Sequence, residues 1–444
     1  MFEKLRVVNF RSILDSGDIN FSNLNIIVGP NNSGKSSILY TLLMLKQTLK
    51  DKDPKSTLVT SGPHIDIGGY LDFIHGHDPE GKLGIEFELK EEAFPELKGI
   101  RFTKGGIKPF TKYKLTFCFN ADTNSIEIKT FDIADKQSKK RYRGTLENKK
   151  WLLAGITPEL EPHIRPRIDH FLPFFTPTGK GPTDKKIASE GFDLFMASRL
   201  QIGVLEHLFD DILYVGPIRE RIPHYGILGS MPYTELGPSG QNLMRVLSDA
   251  GKWGRSKRTI IQELNYWLDK KFKILKNVRI KNIDTGGTVK AILADDPRGH
   301  KDINLASMGS GLSQIVPVIV QTVLTPKKGC LIVEQPEIHL HPASQANLGD
   351  LFVQYAKEGR QLIIETHSEH LLLRIRRRIA EKKISPKLVK VFFVEKRGTQ
   401  TRLNTLDLEE NGHFAHWPKG FFEEGYQEAM AIADAQLRMK RTLQ

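Results

Sequence analysis

Apolar positions along the chain follow two periods, and the alternation between them lays out the elements. Residues 4–9 and 25–28 have strand spacing around a polar turn at 15–18. Residues 38–45 are apolar on most sides and predict a helix buried between a sheet and its neighbours, ending near Pro54. Apolar and polar residues alternate over 83–89 and again over 112–133 across the turn 120–124, the pattern of an antiparallel meander. Residues 151–182 are proline-rich and show no period, whereas 186–209 repeat at helical spacing. A strand at 212–215, helices over 241–250 and 259–272, and a hairpin over 278–293 turning at Gly286-Gly287 follow. The last third alternates strand and helix. Helices are predicted over 312–324, 344–357 and 369–383, strands over 330–334, 361–365 and 389–394, then a hairpin over 401–408 and 413 onward and a final basic helix. No heptad run or long repeat is present, which argues against a coiled-coil arm.

The join between the strand at 25–28 and the helix after it carries Gly29-Pro30-Asn31-Asn32-Ser33-Gly34-Lys35-Ser36-Ser37. A glycine-bounded turn that opens a helix aims backbone N–H groups and the positive helix end at an anion. Lys35 adds a cation that reaches terminal phosphates, and Ser36 is placed to offer its hydroxyl to Mg²⁺. The first half of the α/β pattern thus predicts a phosphate-binding loop at the N-terminal edge of the first domain.

Three later stretches acquire meaning beside that loop. Cys330-Leu331-Ile332-Val333-Glu334 is a buried strand ending in an acid, the arrangement that sets a carboxylate in a metal shell opposite the loop hydroxyl. Gln335-Pro336-Glu337 follows it. Ser307-Met308-Gly309-Ser310-Gly311 is a second glycine turn opening a helix; without a lysine it is no second P-loop, yet it presents N–H groups to a phosphate in the same way. Glu365-Thr366-His367-Ser368 closes a strand with a histidine whose neutral ring both donates and accepts, fit to meet a γ-phosphate or an attacking water. His339 and His341 stand at i, i+2 without further ligands at zinc spacing and read as a turn packed beside the nucleotide site.

Composition narrows the setting. In 444 residues the net charge is +13, which favours a polyanionic partner such as nucleic acid. Two basic clusters are the candidates: Lys139, Lys140, Arg141, Arg143, Lys149 and Lys150 in an expected loop tip, and Arg374, Arg376, Arg377, Arg378, Lys382 and Lys383 on the helix at 369–383. A solvated loop is the competing reading of the first. Two cysteines are too few for a disulfide framework and fit a reducing cytoplasm. No apolar run approaches the ~20 residues needed to span a bilayer, so no membrane association is expected.

In this order and at these strand ends, the four elements resemble the ABC-type ATPases of the SMC/RecF/OLD branch. Val333-Glu334-Gln335-Pro336-Glu337-Ile338-His339-Leu340-His341-Pro342, with Glu365-Thr366-His367-Ser368-Glu369-His370, Trp417-Pro418-Lys419-Gly420-Phe421-Phe422 and the opening Val8-Asn9-Phe10-Arg11-Ser12, is similar to bacterial AAA-type ATPases often found in antiphage defence. The resemblance implies an α/β fold: an ABC-type head with a mixed-sheet core and an antiparallel β subdomain, plus a mostly helical insertion. The head would occupy 1–135 and 259–425, the insertion with its basic loop 136–258, and a basic helix 426–444. It further implies ATP and Mg²⁺ held by Gly29, Asn31, Asn32, Ser33, Gly34, Lys35, Ser36 and Ser37, with Arg11 nearby, Ser36 and Glu334 on the metal, and His367 as the switch histidine. Ser307, Gly309 and Gly311 would form the signature that meets the P-loop of a partner head, so that two heads sandwich ATP.

Two departures from that family matter. Relatives carry a water-polarising glutamate where this chain has Gln335, which orients water but takes no proton. Hydrolysis is therefore expected to be slow, unless Glu337 acts as the base. No Q-loop glutamine is recognisable at 64–69. The stretch after His367 lacks the acidic D-x-D cluster of OLD nucleases, Asp407-Leu408-Glu409-Glu410 reading as a turn. The function implied is an ATPase that assembles with itself, associates with DNA and controls a separate effector, a nuclease, in antiphage defence. A RecF-like repair factor and an ATP-binding scaffold with negligible turnover are the alternatives.

Overall fold

Strands buried on both faces read as unbroken apolar runs, whereas strands with one wet face alternate, and the protein sorts its strands into two sheets by that difference. The computed structural model describes residues 1–94, 109–136, 140–179, 181–227, 235–248, 260–415 and 430–432. One sheet collects the fully buried runs β4 (Leu24–Val28), β12 (Ile212–Val215), β17 (Cys330–Glu334) and β18 (Gln361–Glu365) with β19 (Val389–Arg397) and β20 (Gln400–Leu406). Its order is β12-β17-β18-β4-β19-β20, parallel except for the last pair. The other sheet is antiparallel. It holds β1 (Phe2–Phe10), β2 (Ile13–Asp15), β3 (Ile19–Asn20), β5 (Leu83–Leu89), β6 (Lys112–Asn120), β7 (Ser125–Ala134), β8 (Arg141–Glu147) and β9 (Lys150–Ala154).

Helix α1 (Lys35–Leu49) is wedged between them. Its Ile38, Leu42 and Leu45 join Phe2, Leu5 and Phe87 of the antiparallel sheet in one core, and the other face of the parallel sheet is covered by α6 (Ser310–Leu324), α7 (Pro342–Lys357) and α8 (Glu369–Ala380). This explains why α1 is apolar on most sides. The short helix α2 (Tyr70–Phe73) leads toward β5, and a hairpin of β10 (Ile164–Asp169) and β11 (Leu172–Pro177) packs on the long helix α3 (Lys185–Asp210). A small antiparallel sheet of β13 (Gly226–Ile227), β14 (Lys276–Asn282), β15 (Val289–Asp295) and β16 (Ile303–Asn304) accompanies α4 (Leu243–Ser248) and α5 (Ile260–Asn265), which continues as a π-turn to Lys271.

The fold is α/β with a mixed core sheet and an antiparallel subdomain, and several expectations change in detail. The P-loop strand β4 is internal to its sheet, between β18 and β19, because later strands are inserted on both sides of it. Of the basic run expected as a loop tip, Arg141, Arg143 and Lys150 stand on strands and Lys149 in the turn between them: Tyr142 faces inward against the rings of Phe110 and Phe175, while Arg141 pairs outward with Asp132 across the sheet. Lys139 lies outside the described residues. Strands β8 to β11 therefore precede α3 in the stretch expected to be mostly helical. Residues 400–406 pair back onto β19 through the turn at Gly398-Thr399 rather than forward to 413, with a Leu408–Phe414 bridge the only pairing beyond among the described residues. The Trp417 to Phe422 tract and all but 430–432 of the C-terminal basic helix lie outside the described residues. Among the described residues no helix is long and apolar enough to cross a membrane.

Candidate functional site

The C-terminal ends of parallel strands are where loops are free to diverge and helices begin, and the chain's chemistry collects there. A cleft of about 1000 Å³ is lined by Asn31, Asn32, Gly34, Lys35, Ser36 and Ser37 from the P-loop and α1, by Gln335, Glu365 and His367 from the strand ends, and by Arg11. The loop is held open by its glycines. Gly34, the residue before α1, has φ 99°, and Gly29 has φ 147° with its α-carbon against the Val394 carbonyl, where a Cβ would clash. Lys35 is buried and donates to the Gly29 and Pro30 carbonyls at 3.1 and 2.7 Å, so it lies folded along the loop; burial lowers its pKa.

The acids take distinct places, Glu365 on the cleft wall and Glu334 and Glu337 behind it. The Ser36 hydroxyl donates to Glu365 Oε2 at 2.9 Å. Glu334 is buried, accepts the Tyr214 hydroxyl on Oε1 at 2.6 Å, and has a pKa pushed up to about 7, by burial first and then by the nearby Glu365. Arg219, also buried, donates to the carbonyls of Glu334 and Gln335 and so pins the strand end. Its pKa falls to about 10 through burial. Both Glu337 oxygens are engaged, one by the His367 N–H at 2.6 Å and one by the Thr366 hydroxyl at 2.8 Å. Its carboxylate therefore anchors the His367 turn and does not line the cleft. His367 has its pKa lowered by burial and by Lys35, and its buried Nε2 is without a hydrogen-bond partner among the described residues. Gln335 adopts φ 44°, a left-handed turn that brings it to the cleft rim. Ser36, Glu334 and Glu365 are hard oxygen donors, a set that suits Mg²⁺.

Other predicted residues are elsewhere. Ser33 is buried, its carbonyl accepting from Thr401 Oγ1 at 2.7 Å while the Ser12 and Thr401 hydroxyls share a 2.7 Å bond. Ser307, Gly309 and Gly311, at the start of α6, are not among the residues that line the cleft. Ser307 and Gly309 are exposed, and Gly311 packs on the His339 carbonyl. His341 caps α7, its Nδ1 accepting from the Ala343 N–H, and no cluster of metal-binding side chains is found among the described residues. Sequence reasoning missed Glu365, Tyr214, Thr401, and the cleft residues Asp72, His75, His77, Lys396 and Thr399. Glu365 had a signal, being the last residue of a buried strand just as Glu334 is; the others belong to no motif, Tyr214, Lys396 and Thr401 standing on strands, Asp72 on α2, His75 and His77 in a helical turn and Thr399 in the β19–β20 turn.

The basic cluster of α8 is largely spent on intramolecular pairs. Arg374 and Arg378 share Asp350, Arg377 and Lys383 meet Glu381, and Arg376 donates to the Gly412 carbonyl and stacks over Phe414.

The profile of the AAA ATPase domain family matches residues 1–171 and 253–372. Residues 384–432 match DUF3696, a family described as protein of unknown function. No curated protein matches the sequence. Among solved structures, the chain is similar to an SMC head bound to the C-winged helix domain of ScpA, at 14% identity and TM-score 0.44, covering 92% of this chain and 98% of that one. It is also similar to the SMC head domain from Thermotoga maritima, at 12% identity and TM-score 0.38, covering 92% and 99%. An Smc head with an extended coiled coil bound to the C-terminal domain of ScpA derived from Pyrococcus furiosus matches at 12% identity and TM-score 0.43, covering 98% and 99%.

Proposed function

The chain belongs to the AAA ATPase domain family, and on that premise we propose that it binds ATP with Mg²⁺ in the P-loop cleft and hydrolyses it slowly. The observation that carries this reading is the meeting of Lys35, Ser36 and His367, with its unpartnered Nε2, around one open cleft. Lys35 swings from the Gly29 and Pro30 carbonyls onto the terminal phosphates, while the N–H groups of the loop cradle them. Mg²⁺ supplies neutralising charge at the phosphate oxygens. His367, kept neutral by burial, offers Nε2 to the γ-phosphate or to water, and Glu337 fixes the backbone on which it turns. Gln335 orients water without accepting its proton, which supports slow turnover and keeps an ATP-binding scaffold as a second reading. Turnover measured for Gln335→Glu separates the two: an increase of tenfold or more from a near-zero baseline favours the scaffold.

The second half of the reading is assembly. The glycine turn at 307–311 is exposed at the start of α6 and absent from the cleft of its own chain, which supports a pair of heads that close each other's sites. Light scattering with and without ATP tests it, and an oligomeric state indifferent to nucleotide would discard it. We place the protein further as a DNA-associated regulator of a separate nuclease effector in antiphage defence, with RecF-like repair as the alternative. This rests on the motif resemblance and the +13 charge. The ion pairs on α8 reduce what that helix offers to DNA, so the salt slope of binding should change by less than one per arginine neutralised there.

A further inference from the structure

The acid that meets the P-loop hydroxyl stands on a different strand from the one that follows the buried Cys330–Val333 run. In a parallel sheet, register-paired residues on neighbouring strands project to the same face. Glu334 and Glu365 are such a pair, the last residues of β17 and β18. Strand β18 lies directly beside β4, whereas β17 is one strand further out, so the sheet order sets Glu365 closer to the P-loop. The side chains follow that placement. Glu365 lines the cleft with Lys35, Ser36, Gln335 and His367, and its Oε2 is 2.9 Å from Ser36 Oγ. Glu334 does not line the cleft; its Oε1 is held by Tyr214 on β12, on the side away from β4, although the Ser36 hydroxyl also lies near enough to act on its carboxylate. A cation held by a lone pair of the Ser36 hydroxyl oxygen would therefore be within reach of Glu365 first. Mg²⁺ prefers one or two carboxylates completed by phosphate and water, which this pair of acids provides.

We infer that Glu365 is the carboxylate through which this chain holds the divalent cation of its nucleotide at Ser36, with Glu334 positioned behind it by Tyr214. The inference rests on the nucleotide reading of the cleft and assigns a further residue to that site. Its measure is the gain in affinity for a fluorescent ATP analogue when EDTA is replaced by Mg²⁺, determined on the full chain. Wild type should gain at least tenfold. In Glu365→Gln the gain should fall close to one, and the electron paramagnetic resonance signal of Mn²⁺ bound with ATP should disappear. Because Ser36 and Glu365 serve the same ion, the double variant with Ser36→Ala should lose no more of the gain than either single variant. An unchanged gain in Glu365→Gln, or additive losses in the double variant, overturns the inference. Failure of wild type to bind the analogue at all would instead remove the nucleotide reading. Should Glu365→Gln not fold, Glu365→Asp carries the test. Its shorter carboxylate should shift preference from Mg²⁺ toward the larger Ca²⁺, and an unshifted preference overturns the inference equally.

Discussion

Two fifteen-residue helices, α1 and α6, each begin at a glycine turn, yet the two turns are built for opposite surroundings. The turn before α1 is clamped from every side: Lys35 on the Gly29 and Pro30 carbonyls, Thr401 on the Ser33 carbonyl, Val394 against Gly29. The turn before α6 is open. Gly309 has an ordinary φ of −57°, and among the described residues nothing lies within 4 Å of where a Cβ would stand. Both turns present N–H groups, and the sequence separates them only by Lys35; the packing makes the first a preformed anion cradle and leaves the second facing outward. Preorganisation is the difference, since a loop already fixed loses little freedom when a phosphate arrives.

The sharpest test is one substitution made in both places. Gly29→Ala forces a side chain into the Val394 carbonyl at a backbone angle that disfavours it, and should cost about 3 kcal/mol of stability in urea unfolding. Gly309→Ala should change stability by less than ~0.5 kcal/mol. Equal effects would erase the contrast. Next in size, Lys35→Ala should weaken ATP binding on the order of 100-fold by titration, the loss of a charge-assisted contact to phosphate. At the exposed turn, Ser310→Glu should abolish ATP-dependent association in light scattering while changing the affinity of a single chain for ATP far less.

Smaller effects probe the clamp. Thr401→Val removes the hydroxyl that donates to the Ser33 carbonyl and leaves that buried acceptor unmet, so stability should drop by ~1 kcal/mol and ATP affinity a few-fold. Thr401→Ser should restore both. The other end of α1 supplies a pH test. Lys46 is fully buried there, donating to the Ile212 carbonyl and to Glu235, and the ring of His64 lies beside them. Burial, and after it the charge of Lys46, push the His64 pKa well below 6.5. Between its lowered folded value and 6.5 the unfolded chain binds more protons, so this group's contribution to stability is full above about pH 6.5 and is lost as pH falls. Glu334, with its raised pKa, acts in the opposite sense over pH 4.5 to 7, so the His64 effect must be read as a difference. The drop in melting temperature from pH 7.5 to 5.5 should be smaller in His64→Gln than in wild type.

How much of this could be read from the sequence follows from where each constraint acts. Strand β17 at Cys330–Glu334 and strand β18 at Gln361–Glu365 have the bounds expected, because a strand buried on both faces has no polar position to blur its ends. The basic run at 139–150 is the expected tip only in part, at the Asn148-Lys149 turn, because Arg141 and Arg143 face outward from a strand whose other face, at Tyr142, is core. For the site, a glycine loop, a lysine and a hydroxyl adjacent in sequence announce themselves. Glu337 showed only as an acid near the right place; that it holds the His367 turn depends on how two separate strand ends meet.

The sequence by itself determined the local chemistry: the phosphate loop, the acidic strand end, the histidine turn and the second glycine turn, each carried by residues within a few positions of one another. Tertiary structure decided which of them share a cleft. Strand order put β18 next to β4 and made Glu365 the acid that meets Ser36, and the β19–β20 hairpin brought Thr401 onto the loop. It also left the turn at 307–311 outside. Residues far apart in the chain carry no spacing rule, since the distance between them is set by strand order and register, which only the packed sheet fixes.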